Sequence, residues 1–367
     1  MPDNDFMFSV NTLVGCKFSI LKKLERRFRV ESAYRKKYRG SKWLSRFITT
    51  LSYFDRIRYR SLSKGLEITR PPIYVLGHWR SGTTLIHNML CSSYNVSYPT
   101  TYQTVFPNNL FCFNWLIKNI MQFFLPERRL VDHVKMHVDY PQEEDFALGN
   151  EAGFSYYYWF YFPKDWRWIS EHYLSLSADD QATREKYTRR YVRFVRRCIL
   201  NVGGEQYIAK NPPSLARIPF LLQLFPEARF LYIERNPYEV LTSTFRFFKA
   251  FLATLQMQDF DDQSLWELIF HNYKYLYLKY QEDKQLIPSG QLVEIKYEQL
   301  VRDPEKILKG LHEGIFSDLE PNNDKLESIL ASHHNHTFKK YTFDPAFIER
   351  VNDELGDLIL KQGYRLL

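Results

Sequence analysis

Arg80, Ser81, Gly82, Thr83 and Thr84 stand directly after a short run of β-type residues, Ile73 to Leu76. They come directly before apolar residues at helical spacing, Leu85, Met89 and Leu90. A strand, a small-residue loop and a helix N-terminus in that order cradle a phosphate-like anion. The loop amides converge on it, the first free helix N–H groups point at it, and the helix dipole favours its charge. Gly77 and Gly82 let the backbone come close, the hydroxyls of Ser81, Thr83 and Thr84 can donate, and Arg80 adds a permanently charged fork. The Gly77–Gly82 spacing is that of a Walker A loop, but Thr83 occupies the place of its lysine, which disfavours a nucleotide triphosphatase.

A second run of comparable chemistry begins at Arg235. The stretch Ala228 to Ile233 reads as a strand, Pro237 suits the first turn of a helix, and Ser243 lies two turns into that helix. Between the two runs, Gln206 to Lys210 reads as a buried strand that ends in Asn211-Pro212-Pro213. Short apolar strands alternating with helical patterns imply a parallel, doubly wound sheet, whose ligands collect at the carboxyl ends of its strands. The loop, Lys210 and Arg235 are therefore expected on one rim.

Arg80 to Leu85 reads R-S-G-T-T-L, and Arg235 is followed eight residues later by Ser243. In both respects the chain resembles the sulfotransferases that use 3′-phosphoadenosine 5′-phosphosulfate (PAPS), in their carbohydrate, tyrosyl-protein and bacterial branches. The resemblance implies a P-loop-like α/β fold. It also implies that Arg80, Ser81, Gly82, Thr83 and Thr84 hold the 5′-phosphosulfate, while Arg235 and Ser243 grip the 3′-phosphate. Lys210 matches the family's lysine beside the acceptor, and Tyr297, in a Y-E-x-L segment, matches a position facing the adenine. Lys339 falls where family members close a basic segment over the cofactor.

Sulfuryl transfer needs positive donors where charge grows on the leaving phosphate, together with a base for the acceptor hydroxyl. Arg80 and Lys210 suit the first task. The cytosolic branch carries a histidine base two residues after its lysine, where this chain has Pro212. The segment Pro141-Gln142-Glu143-Glu144-Asp145-Phe146-Ala147-Leu148 resembles P-Q-E-D-E-F-A-L of the bacterial branch with its second and third acids exchanged. Glu143 is thus the expected base, ahead of His133 or His137, and the roles of Glu144 and Asp145 stay open. His133 and His137 are four apart but lack a third ligand, so no metal is expected.

The rest of the chain must position these groups. The core is expected over 71–367, with a basic helical extension over 1–70 packed on it. In residues 17–64, Phe18, Leu21, Leu24 and Phe28, then Trp43, Phe47, Leu51 and Phe54, recur at helical intervals among lysines and arginines. Such helices either cover the sheet with solvated basic faces or attach to an anionic membrane surface. The aromatic run from Phe106 to Phe124 is either core or the wall of a pocket for a hydrophobic alcohol. Charged residues make up 25% of the 367 residues, the formal charge is +8, and the four cysteines form no C-x-x-C pair. The cysteine pattern and the lack of a secretory signal fit reduced thiols in a reducing compartment. Golgi members of the family carry an N-terminal anchor that is not visible here, so the resemblance implies a cytoplasmic bacterial enzyme with no nucleic-acid partner. The aromatic runs suggest an apolar sterol or lipid alcohol as acceptor. The competing readings are a P-loop kinase and a non-catalytic membrane-surface protein.

Overall fold

Residues 11–127, 135–176, 180–322, 324–327, 330 and 341–367 are described by the computed structural model. The chain opens with helices α1 (Phe18–Arg27) and α2 (Arg35–Leu62), then enters strand β1 (Ile73–Leu76) and helix α3 (Thr83–Ser93). Strand β2 (Val96–Ser97) precedes helices α4 (Thr101–Val105), α5 (Asn114–Phe124), α6 (Glu144–Ala152), α7 (Trp166–Tyr173) and α8 (Gln181–Val202). Strand β3 (Gln206–Lys210), helix α9 (Ile218–Leu224), strand β4 (Arg229–Glu234) and helices α10 (Pro237–Leu255) and α11 (Asp262–Asp283) follow. Strand β5 (Leu292–Lys296) leads into helices α12 (Tyr297–Arg302), α13 (Pro304–Gly314) and α14 (Pro345–Lys361).

The sheet among the described residues has five strands in the order β2-β3-β1-β4-β5, and every pair is parallel. Side chains alternate across it, as the period of a strand requires. Ile73, Val75, Ile208, Leu231 and Ile233 point into one buried layer, shared with Ile86 of α3 and Leu308 of α13. Tyr74, Leu76, Tyr207, Phe230 and Tyr232 point into the other, shared with α8, α10 and α11. Strands buried on both faces read as continuous apolar runs, and all four residues of β1 are buried. Because β1 lies between β3 and β4, the connections after it depart to opposite sides. The carboxyl end of β1 is therefore the switch point at which such sheets bind ligands.

The extension packs in two different ways. In α1 the periodic apolar residues face inward, and Leu21 and Leu24 join the same buried layer as Tyr157 to Phe162. In α2 the periodic aromatic residues do not form the inward seam. The inward seam is Tyr38, Ser41, Ser45, Ile48, Ser52 and Asp55, whereas Trp43, Phe47 and Phe54 face solvent. Hydrogen bonds hold the polar seam: Ser45 Oγ donates to Cys16 O at 2.6 Å, and Asn11 Nδ2 donates to Ser41 Oγ at 2.8 Å. Asp55 is fully buried, pairs with Arg197 of α8 at 2.6 Å, and accepts the amide hydrogens of Phe111 and Cys112. That carboxylate fixes the approach to α5 against α2.

Candidate active site

The loop after β1 turns sharply because two of its residues lack side chains. A Cβ on Gly77 would lie 2.7 Å from the carbonyl oxygen of Ile233. Gly82 has φ +100° and packs under Tyr297, where a Cβ would come within 2.4 Å of the ring. Gly82 is also the N-cap of α3, so the free amides of that helix open onto the loop. Arg80 adopts φ +69°, an uncommon conformation for a bulky residue, and its contacts hold it there. Its Nε donates to Ser243 Oγ at 3.0 Å, and its carbonyl accepts from Arg235 Nη1 at 3.3 Å. Ser81 Oγ donates to His78 O at 2.8 Å, so this hydroxyl proton holds the turn itself.

The second strand end meets the first. Asn236 caps α10 by accepting from the amide of Tyr238, and Pro237 fills the first turn. Arg235 stacks over the Tyr297 ring at 4.2 Å and pairs with Glu239 one turn later at 2.5 Å. A small cleft beside both motifs is lined by His78 and Ser81 of the loop, by Glu234 at the end of β4 and Arg235 just after it, and by Tyr273 and Tyr277 of α11. Expected cofactor residues from separate parts of the chain therefore touch directly: Arg80 with Ser243, Arg235 with Arg80, Tyr297 with Gly82 and Arg235. Thr83 and Thr84 form the first turn of α3, Thr83 buried and Thr84 partly so.

On the other side of the loop, β3 pairs with β1 so that Lys210 stands opposite Val75. Lys210 is buried, and its Nζ donates to Glu143 Oε1. The hydroxyl of Tyr157 donates to the other oxygen of Glu143, and Trp79 Nε1 of the loop donates to the Tyr157 hydroxyl at 3.1 Å. Loop, tyrosine, carboxylate and lysine thus form one hydrogen-bonded chain. Glu143 is the N-cap residue of α6 and the only one of the three consecutive acids that stays partly exposed.

The other two acids turn inward because successive residues at a helix start diverge around its axis. Glu144 accepts hydrogen bonds from the hydroxyls of Tyr191 and Tyr207 at 2.8 Å each. Burial pushes its carboxyl up to about 7 despite those donors. Asp145 pairs with the buried Arg217 at 2.5 Å. It also accepts from Ser155 Oγ at 3.0 Å and from the amides of Tyr156 and Tyr157. By capping that turn it sets the position of Tyr157.

Two expected residues, His133 and Lys339, lie outside the described residues. His137 is partly exposed, and its contacts among the described residues are with Asp139 and Tyr140 rather than with Lys210. His87 of α3 is buried; burial first, then the charge of Lys210, holds its imidazole down to about 3, so it is a poor base. Among the described residues no group of three His, Cys, Asp or Glu side chains is arranged to hold a metal ion. The aromatic run before Phe124 is only partly a core element. Ile117 is buried, but Phe113, Trp115, Leu116, Ile120, Phe123 and Phe124 are exposed rather than packed in the core. Sequence reasoning missed Trp79 and Tyr157: Tyr157 sits inside the continuous aromatic run Tyr156 to Phe162, where no period singles it out.

A parallel sheet feeding a glycine-bounded loop at its switch point, with two basic strand ends beside it, defines a phosphate-cradling α/β fold. Residues 71–316 match the family model described as Sulfotransferase family, and the chain belongs to that family. It is 30% identical, over 96% of its own length and 90% of the relative's, to omega-hydroxy-beta-dihydromenaquinone-9 sulfotransferase Stf3 of Mycobacterium bovis and of Mycobacterium tuberculosis. The fold is similar to that of the sulfotransferase STF9 from Mycobacterium avium, with a TM-score of 0.69 at 18% identity over 96% of this chain and 98% of that one. It is also similar to STF1 from Mycobacterium tuberculosis H37Rv, with a TM-score of 0.64 at 15% identity over 93% of this chain and 90% of that one.

Proposed function

We propose that the enzyme transfers a sulfuryl group from PAPS to the hydroxyl of an apolar, lipid-type alcohol, giving a sulfate ester and 3′-phosphoadenosine 5′-phosphate. The observation that carries this reading is the meeting of Arg80, Ser243 and Arg235 across two strand ends, with Arg80 Nε 3.0 Å from Ser243 Oγ. PAPS supplies the sulfuryl group on a leaving phosphate. The glycine-bounded turn fits that group, because Gly77 and Gly82 pack where no Cβ has room, which holds the loop tight against β4 and Tyr297, and the free amides of α3 open onto it. The loop and the α3 amides receive the 5′ end, with Arg80 as the charged donor. Arg235 and Ser243 take the 3′-phosphate. Freeing Arg235 from Glu239 is cheap, since an i,i+4 pair contributes about 0.3–0.5 kcal/mol.

Glu143 then removes the proton of the acceptor hydroxyl. Lys210, bonded to it, orients the carboxylate and presents positive charge beside the loop. Tyr157 fixes the second carboxylate oxygen and ties it to Trp79 of the loop, so base and phosphate site are held in one frame. An apolar alcohol is supported by the acceptor for which the mycobacterial relative is named, omega-hydroxy-beta-dihydromenaquinone-9.

The test is calorimetric binding of 3′-phosphoadenosine 5′-phosphate, followed by PAPS-dependent transfer to a panel of long-chain alcohols read by mass spectrometry. Arg235→Ala is expected to weaken nucleotide binding about 10- to 100-fold, the loss of one charge-assisted contact. Equal affinity for plain AMP, or transfer that needs no PAPS, overturns the reading.

A further inference from the structure

Helices α2 and α5 share a buried seam: Ile48 of α2 and Ile117 of α5 lie in one apolar cluster, with Leu44, Leu51 and Met121 packed on it. Their outward faces adjoin, and the rings of Phe54 and Phe113 meet edge to face at 5.9 Å. On α2 the outward face carries Trp43, 73% exposed, with Phe47 and Phe54 at helical spacing. On α5 it carries Leu116, Ile120 and Phe123, the last 83% exposed. Large aromatic and branched side chains gathered on adjacent helices exceed the scattered exposure normal for a soluble surface.

The charges beside this face decide what it meets. The single acid of α2 is Asp55, which is buried against Arg197, so every exposed charge of that helix is positive. Arg39 and Arg46 are exposed four and three residues from Trp43, and Arg58 is exposed four residues from Phe54, so each falls one turn from an aromatic of this face. Within α5 the only charge is Lys118, which pairs with Asp139 at 2.6 Å. An apolar stripe edged by arginines, on a helix too polar to cross a bilayer, fits the headgroup boundary of an anionic membrane. A second copy of this chain fits poorly, because a two-fold contact would set one positive helix against its equal.

We infer that the joined outward face of α2 and α5 docks the enzyme on anionic lipid bilayers. Trp43, Phe47 and Phe123 enter the headgroup boundary while the α2 arginines pair with lipid phosphates. The basic residues of α1 are not part of this face, since α1 spends its apolar side in the core. The face is also joined to the site. Gln122 of α5 accepts from the amide of Val138 at 3.1 Å, and the chain from Asp139 runs directly to Glu143.

Vesicle binding needs neither sulfuryl donor nor acceptor, so this inference stands or falls apart from the catalytic reading. The full chain is sedimented with phosphatidylcholine vesicles with and without phosphatidylglycerol. Co-sedimentation is expected with the anionic vesicles and is expected to fall as salt rises. Arg39→Gln/Arg46→Gln is expected to weaken partitioning about thirtyfold, and Ile120→Ser/Phe123→Ser at least about tenfold. Both variants should keep the wild-type melting temperature and transfer to a water-soluble alcohol. No preference for anionic vesicles, or wild-type partitioning of both double variants, overturns the inference. So does a dimer in sedimentation velocity that Ile120→Ser/Phe123→Ser converts to monomer, which would assign the face to a second copy.

Discussion

Replacing Glu143 by glutamine isolates the proton acceptor from the frame that holds it. In the wild type one carboxylate oxygen accepts from Lys210 Nζ and the other from the Tyr157 hydroxyl. Glutamine keeps an oxygen for Lys210 and turns an amide donor toward Tyr157, whose oxygen can accept it. The shape of the site is preserved, and the capacity to take a proton is lost. Removal of a positioned general base lowers the rate about 10²–10⁴-fold. Breaking a buried pair outright costs about 3–5 kcal/mol, but a retained acceptor for Lys210 and the partial exposure of Glu143 reduce that. About 1–2 kcal/mol of stability is expected to be lost. Single-turnover transfer at saturating PAPS should show the fall in kcat, with the affinity for 3′-phosphoadenosine 5′-phosphate unchanged. The same substitution at Glu144, which faces Tyr191 and Tyr207 rather than Lys210, should leave kcat within a few-fold of wild type. A Glu143→Gln enzyme that turns over within about threefold of wild type would refute Glu143 as the base, however well it folds.

Gly82→Ala should abolish nucleotide binding in calorimetry and lower the melting temperature. The new methyl meets the Tyr297 ring at 2.4 Å on a backbone of φ +100°, a conformation that costs an L-residue about 1–2 kcal/mol before the clash is counted; wild-type binding would remove the loop from the site. Glu144 gives a pH signature. Its folded carboxyl is pushed from 4.5 to about 7 by burial, so its contribution to stability is complete below the lower value and is lost as pH rises through the upper one. Urea unfolding between pH 5 and pH 8 should show Glu144→Gln gaining on wild type by up to about 3 kcal/mol; parallel curves would refute it.

The sequence by itself determined the parallel sheet, the loop after β1 and the strand ends at Lys210 and Arg235, because each is a local pattern. Apolar runs mark strands buried on both faces, glycines mark a turn that no side chain fits, and Pro237 marks a helix start. Adjacency on one rim then follows from the chirality and order of a doubly wound sheet. Other features were decided only by tertiary structure. The period of α2 shows two faces but not which one meets the core. Asp55, Ser41 and Ser45 find partners there in Arg197, Asn11 and Cys16, so the serine seam goes inward and Trp43 and Phe47 go out. Likewise, three consecutive acids look alike in sequence. Lys210, Tyr191 with Tyr207, and Arg217 arrive from residues more than 40 positions away and give each a different environment. A helix start aims consecutive side chains in different directions, and what each meets is set by the packing of distant elements.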